Sequence, residues 1–583
     1  MAFFDNWFNR YPGTDFSQIN LDWMITQLLD LKATVADLDV KDIPSTVRTV
    51  LQEMIEDGSF DKLINDELLE QLYGDLIKSK TWKTKTFSDI ALITDLAAGD
   101  TVTTSGYSAI NDGGAAIYVI NNSAGIAVGS LFAYPVKGNA RSWGLTGDGS
   151  DETAKLQKMI DAMQVIDLDG MDIAVSDQIT LHSNITLKNG TITARNGISP
   201  QNGVINANTF TNVAISGVTF NGGTQTDDFY MVTAVKSTDF CMDDCIFNGG
   251  LGYRVRISAS TGARIINCKC YNVTGVQGNP GGFIYMQGGT DANIQQITAA
   301  NLMDHVVYLD GSVPVSSVCV RDVKANDIGV AALTAGAVVS VYGDVSNFNI
   351  DGVVATDAKS GISILERNGS FPTNGTISNC VLSATLNGIE IIGTASTIGI
   401  DANILVSNCS TASASQDAFS IRFCKNVHVI NSLVRSAGRW GFDLTSQRYS
   451  SIMACTVINA GAAAFFNGAR DNASSAVHAN YNIFQDCVCI NANQGFVSTT
   501  WADSTIFAGC ICMSSTSYAF LTSASINIMG RNRDNGDVRS VTFGTAAPVV
   551  GFHNAGDIVI DSSGASNGWR CTASGTPGTW AAR

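Results

Sequence analysis

The sequence predicts an all-β protein. Its body is a single-stranded parallel β-helix, with an α-helical segment at the N-terminus and a small β cap at the C-terminus. Three observations carry this expectation. Short β-type runs parted by turns fill residues 165 to 530. Two independent markers recur through that stretch in a nearly fixed phase. Residues 1–80 show a helical apolar period that stops where β-type alternation begins. Composition agrees. Hydrophobic residues make up 45% of the 583, which excludes disorder over most of the chain. A net charge of −17 argues against a nucleic-acid partner, which needs basic surface. No apolar run reaches the roughly 18 residues that suggest a membrane span.

Residues 1–80 hold 15 Asp/Glu against 7 Lys/Arg, a denser negative charge than the rest. Leu21, Leu28 and Val35 recur every seven residues, and Met24, Leu31 and Leu38 do the same. This is an a/d seam of almost three heptads, better suited to an oligomer than to a lone helix. The alternative is one amphipathic helix packed on its own chain. Further helical periods use Val47, Val50, Leu51, Met54 and Ile55, then Leu68, Leu69, Leu72 and Leu76. The run Phe8-Asn9-Arg10-Tyr11-Pro12-Gly13-Thr14-Asp15-Phe16, followed by Ile19-Asn20-Leu21-Asp22-Trp23, resembles the amino-terminal segment of virion appendage proteins from short-tailed phages. The resemblance implies attachment through residues 1–80 to a phage tail or neck/portal-associated protein.

Residues 81–145 read as a small β junction module. A turn cluster, Asn111-Asp112-Gly113-Gly114, parts two strand-like runs. Next comes Gly147-Asp148-Gly149-Ser150-Asp151-Glu152-Thr153, then Leu156, Met159 and Ile160 at helical spacing. Asp151 is suited to cap that helix. An amphipathic helix here would cover the apolar end of a first coil. The motif resembles the opening of pectate-lyase-like right-handed β-helices, and right-handedness is implied by that resemblance.

Residues 146–530 form the predicted β-helix. One marker is a small residue, an apolar one, any residue, then usually another apolar one. It begins at Gly361, Gly388, Ala418 and Gly441, and less regularly at Gly252, Gly282, His305, Ala337, Ala464, Gly495 and Ala519. The other marker is a small or apolar residue at the head of the preceding strand. It runs through Cys245, Cys268, Ile297, Val323, Gly352, Cys380, Cys409, Ser432, Cys455, Cys487 and Cys510. The second leads the first by 7 to 9 residues nine times in eleven. Each coil is therefore about 23 residues plus an optional loop. The cysteines are expected to stack inside as small hydrophobes, with a disulfide ladder as the rival reading. Asn248, Asn272, Asn301, Asn459 and Asn491 follow the marker and suit turns where amides stack. Taken in order, the whole chain resembles a phage tailspike or tail appendage. Homotrimerisation and recognition of a host-surface polysaccharide are implied by that resemblance.

Residues 531–583 leave the repeat and read as a β cap that binds receptor or closes a trimer. Trp569 and Trp580 would either stack on sugars or fill a small core or a subunit seam.

Candidate chemistry follows from the coil pattern. Between two inward apolar residues, the middle residue points out. Glu390 and Asp443 hold that position in coils with one coil between them, about 9.6 Å apart along the axis. That is near the separation of paired carboxylates in inverting glycosidases. Ser420 and Arg422 come from the intervening coil, and Glu366 is a substitute acid. Arg254 and Arg256 form a basic stripe suited to an acidic glycan. No zinc-type cysteine spacing, phosphate loop or HExxH motif occurs, so no metal and no cofactor are expected. A glycan-cleaving enzyme, hydrolase before lyase, and a purely adhesive appendage both fit.

Overall fold

A computed structural model describes residues 80–583, apart from 137–138, 196–202, 223–229, 276–280, 330–335, 469–478, 500–501 and scattered residues between 523 and 566. The heptads and the appendage-like run at residues 8–23 lie outside the described residues. The chain divides into two compact units. Among described residues the smaller holds 80–82, 95–102 and 119–121. Within it the buried Asp100 carboxylate accepts from the Lys80 backbone N–H (2.7 Å) and Trp82 Nε1 (3.0 Å).

In the larger unit the Asn111–Gly114 turn is organised by Asp112. Its carboxylate accepts from the backbone N–H groups of Tyr107, Ser108, Ala109 and Gly114. A hairpin follows, pairing Ile126–Val128 with Leu131–Pro135 antiparallel. Helix α1 spans Thr153–Ala162. The N-cap place falls on Glu152, without a side-chain cap bond, and not on Asp151 as expected; Asp151 Oδ1, one place earlier, accepts from the Thr153 N–H at 3.1 Å. The adjacent Glu152 is buried and turns back to the N–H groups of Thr146 (2.5 Å) and Gly147 (3.0 Å), fixing the glycine turn. Leu156, Met159 and Ile160 are buried in one core with Ile166, Ile173 and Leu187 of the first coils. The helix thus covers apolar surface that a first coil would otherwise expose.

The body is a parallel β-solenoid. Its strands pair in register from coil to coil, as in Ile297↔Val323 and Val488↔Ile511. The cysteine column is continuous. Backbone N–H groups of Ser410, Leu433, Val488 and Ile511 donate to the carbonyls of Cys380, Cys409, Cys455 and Cys487 at 2.7–2.8 Å. All fourteen cysteines are free, so the disulfide ladder is absent. One position differs from the sequence reading. Lys324 pairs with Val354 and Val354 with Val381, which puts Val353 in the column in place of Gly352. Gly352 is instead at the corner, with φ of +68°. In another buried column the rings of Phe419, Phe442, Phe465 and Phe496 stack at 4.5, 5.2 and 4.7 Å.

The asparagines behave mostly as expected. Asn272, Asn301, Asn459 and Asn491 all adopt positive φ, where asparagine is among the better-tolerated residues. Asn301 Nδ2 donates to Asn272 Oδ1 at 2.9 Å. Asn248 is one column away, paired with Tyr271, and its amide contacts Asn221. In-register pairing runs just past residue 530, to Arg533–Asp534. A separate four-stranded sheet then joins Val541–Gly544, Ile558–Asp561, Trp569–Ala573 and Thr579–Ala582.

Candidate functional site: an outward column of tyrosines and carboxylates

One outward column of the solenoid can be followed by register from Arg256 to Phe466. Its registers link Arg256↔Tyr285, Tyr285↔Tyr308, Tyr308↔Ser340, Ser340↔Ser363 and Ser363↔Glu390. It continues Glu390↔Ser420, Ser420↔Asp443 and Asp443↔Phe466. Glu390 and Asp443 therefore share a column with one coil between them, as the sequence spacing requires.

Their surroundings differ sharply. Glu390 is half-buried. Its carboxylate accepts from Ser360 Oγ (3.1 Å), Ser363 Oγ (3.3 Å) and the Asn387 amide. Asp443 is fully buried, and Ser420 with it. This corrects the expectation that the middle position always points to solvent. Arg422 folds over Asp443, its Nε 2.5 Å from Asp443 Oδ2. Thr445 Oγ1 donates to Oδ1, and the neighbouring outward place is filled by Phe466. Burial pushes the Asp443 carboxyl up to about 6, against the pull of Arg422.

Arg422 also reaches Asp417, a carboxylate the sequence reading did not single out. Asp417 is fully buried and accepts from Arg422 Nη2 (2.5 Å), Arg439 Nε (2.7 Å) and Arg439 Nη2 (2.5 Å). Its own N–H donates to Asn387 Oδ1 at 3.1 Å, and Asn387 in turn holds Glu390. A single polar chain thus joins Glu390 to Asp443. Glu366 stands apart from it; its Oε1 accepts from the Gly369 N–H at 2.5 Å.

Toward the N-terminal end the same face becomes aromatic. Tyr253, Tyr285, Tyr308 and Tyr342 are neighbours, with ring centroids 5.5 to 6.3 Å apart. Tyr230 adds a ring 6.5 Å from Tyr285. Buried carboxylates hold them. Asp310 accepts from the Tyr285 hydroxyl (2.7 Å) and pairs with Arg367 (2.6 Å). Asp304 accepts from the Tyr253 hydroxyl (2.7 Å). Burial, followed by these carboxylates, raises the phenols of Tyr253 and Tyr285 above their usual range. Arg256 lies over the Tyr230 ring at 5.3 Å. Arg254 does not share the outward stripe. It is fully buried in the turn before its strand, and its guanidinium donates to the Gly252 carbonyl at 2.9 Å.

The tyrosine band was hidden by register. In the coils at Gly282 and His305 the outward residue stands three places after the marker, not two. A slip of one residue exchanges the faces of a strand. The recurrence of Tyr285 and Tyr308, each three places after its marker, was the available signal. In the C-terminal sheet Trp580 is half-buried, edge-on to His553 at 5.1 Å, and its N–H donates to the Pro577 carbonyl at 3.1 Å. Trp569 is half-buried in the neighbouring strand, paired with Ala582. Among the described residues no cluster of three or more His, Cys, Asp or Glu is placed to hold a metal ion. Among the described residues no helix is long and apolar enough to cross a membrane.

The strand registers and this face define the chain as a parallel β-solenoid protein with an aromatic, carboxylate-lined sheet. No protein-family model matches it, and no curated protein matches it in sequence. Among solved structures it is similar to the tailspike protein of E. coli bacteriophage HK620 in complex with pentasaccharide, at 12% identity and TM-score 0.45, over 66% of this chain and 78% of that one. It is similar to the enzymatically active domain of bacteriophage CBA120 tailspike protein 2, at 12% identity and TM-score 0.41, over 88% and 70%. A third is a mannuronan C-5 epimerase module of Azotobacter vinelandii, at 11% identity and TM-score 0.40, over 68% and 97%.

Proposed function

We propose that this chain is a virion appendage of the tailspike type that binds a host-surface polysaccharide. The observation that carries the reading is the half-buried tyrosine band beside Arg256, Asp310 and Arg367 on one outward sheet. Aromatic faces receive the apolar faces of sugar rings, while fixed charged and hydroxyl groups bond their hydroxyls. The appendage-like wording of residues 8–23 supports attachment through residues 1–80 to a tail or neck protein, with three copies assembling along the heptads. In this reading the protein acts at the host cell surface. The test is binding of the full chain to an array of bacterial surface polysaccharides. Tyr285→Ala and Tyr308→Ala should each weaken capture about tenfold. Undiminished capture by both variants would remove the band from the binding surface.

Glycan hydrolysis is a second reading, favoured by Glu390. It stands in the column of the tyrosines and is half-buried. Glu366 would be its partner carboxylate, and Asp443 would act through the Arg422–Asp417–Asn387 chain and not on the sugar. Release of reducing ends from the captured polysaccharide separates this from a purely adhesive appendage, and new double bonds would point to a lyase.

A further inference from the structure

A corner column elsewhere on the solenoid breaks its own rule at two places. At one corner of the solenoid, each described coil turns through one residue of positive φ. By register, the residues in this place include Asn347, Asn374, Asn403 and Asn426, with φ of 49° to 57°. Asn212, Asp239, Gly262 and Ser317 fill it in earlier coils. Such residues suit a left-handed turn, because a short polar side chain or no side chain limits the clash. Their amides also bond along the axis, as Asn403 Nδ2 does to Asn374 Oδ1 at 3.2 Å. The next two coils carry Tyr449 and Tyr481, with φ of 51° and 59°. A bulky residue there is a backbone outlier, and such outliers concentrate at functional positions.

The two rings gain little from burial. Tyr449 is 48% exposed and Tyr481 52% exposed. They stack at 5.0 Å with 8° between planes. On the Tyr449 side lies Lys425, its Nζ 5.6 Å from the ring and 2.8 Å from Asp401 Oδ1. On the Tyr481 side the corner residue of the next coil is the small Ser504. The exposed face of Tyr481 fits the apolar face of a sugar ring.

We infer that Tyr449 and Tyr481 form a second saccharide contact, separate from the outward tyrosine band, with the sugar ring packed on the exposed face of Tyr481. The inference rests on the polysaccharide-binding reading above. A protein partner fits less well, because two rings of at most about 150–250 Å² each supply well under the roughly 1,000 Å² that a stable protein interface buries.

The test uses the column's own residue. Tyr481→Asn restores the side chain best suited to the corner, and Tyr449→Asn is the companion variant. Each full-length variant is measured for melting temperature, mass in solution and affinity for the array polysaccharide that wild type captures best. The expected result is an unchanged or higher melting temperature, unchanged mass, and affinity lowered about tenfold for Tyr481→Asn. A lower melting temperature with unchanged affinity would make the pair a stacking ladder only. A change in mass would make it a contact between copies. Either overturns the inference. If Tyr285→Ala loses binding while Tyr481→Asn does not, the second contact fails and the polysaccharide reading stands. If wild type captures no polysaccharide, both fail.

Discussion

Glu390 and Asp443 stand in one outward column with Ser420 between them, yet Glu390 is half-buried and Asp443 is sealed. A rung spacing of about 4.8 Å fixes their axial offset. It does not fix their access to a ligand, which depends on what the loops and the next coil lay over each. Glu390→Gln is therefore expected to remove polysaccharide cleavage by at least about 100-fold, the scale of a general acid or base. Binding should stay within about twofold. Reducing-end release and array capture from one preparation check this, and an unchanged rate would end the case for Glu390.

Asp443 gives a pH signature. Burial raises its folded value to about 6 from an ordinary 3.8. Between those values the folded state holds the proton and the unfolded state does not, so this group's stabilisation is complete below about pH 4 and is lost as pH rises through about 6. Other carboxylates superimpose their own trends. The difference between wild type and Asp443→Asn isolates this one. Calorimetric melting from pH 4 to 7 should show wild type losing ground to the variant as pH rises; a constant difference would contradict the assignment.

Arg422 neutralises two buried carboxylates at once, at 2.5 Å from each. Removing one partner from a buried ion pair costs about 3–5 kcal/mol, because the remaining charge is left without compensation. Arg422→Met should therefore loosen its own coil and the next. Hydrogen exchange of the amides in Phe419–Arg422 and Trp440–Thr445 should accelerate, while the coils around Cys245 and Cys268 keep wild-type protection.

The cysteines offer a chemical test of the interior column. Twelve of the fourteen are buried, and only Cys241 and Cys319 are half-buried. Burial pushes the thiols of Cys455 up to about 12, which suppresses the reactive thiolate. Titration of native protein with a thiol reagent should label at most the two half-buried residues, and denaturant should release the rest. Reducing agent should leave the melting temperature unchanged.

The periodicity of apolar and small residues was enough to place the solenoid, the α1 plug and nearly all of the cysteine column. Each depends on a contact repeated once per coil, and repetition makes a local pattern visible in one dimension. The glutamate–aspartate offset was legible for the same reason. Gly352 was misplaced because glycine serves equally as a small interior residue and as a left-handed corner.

What the sequence could not decide was which outward residues stay outward. The tyrosine band of Tyr285 and Tyr308 depends on a one-residue register that apolar spacing leaves open, since a slip of one exchanges the faces of a strand. The burial of Asp443 depends on Arg422, Thr445 and Phe466 converging from three different coils. Asp417 becomes the hub of that cluster only because Arg439, 22 residues on, folds back to meet it. Period sets which face a residue starts from. Only the packed neighbours, brought together by winding, set whether water still reaches it.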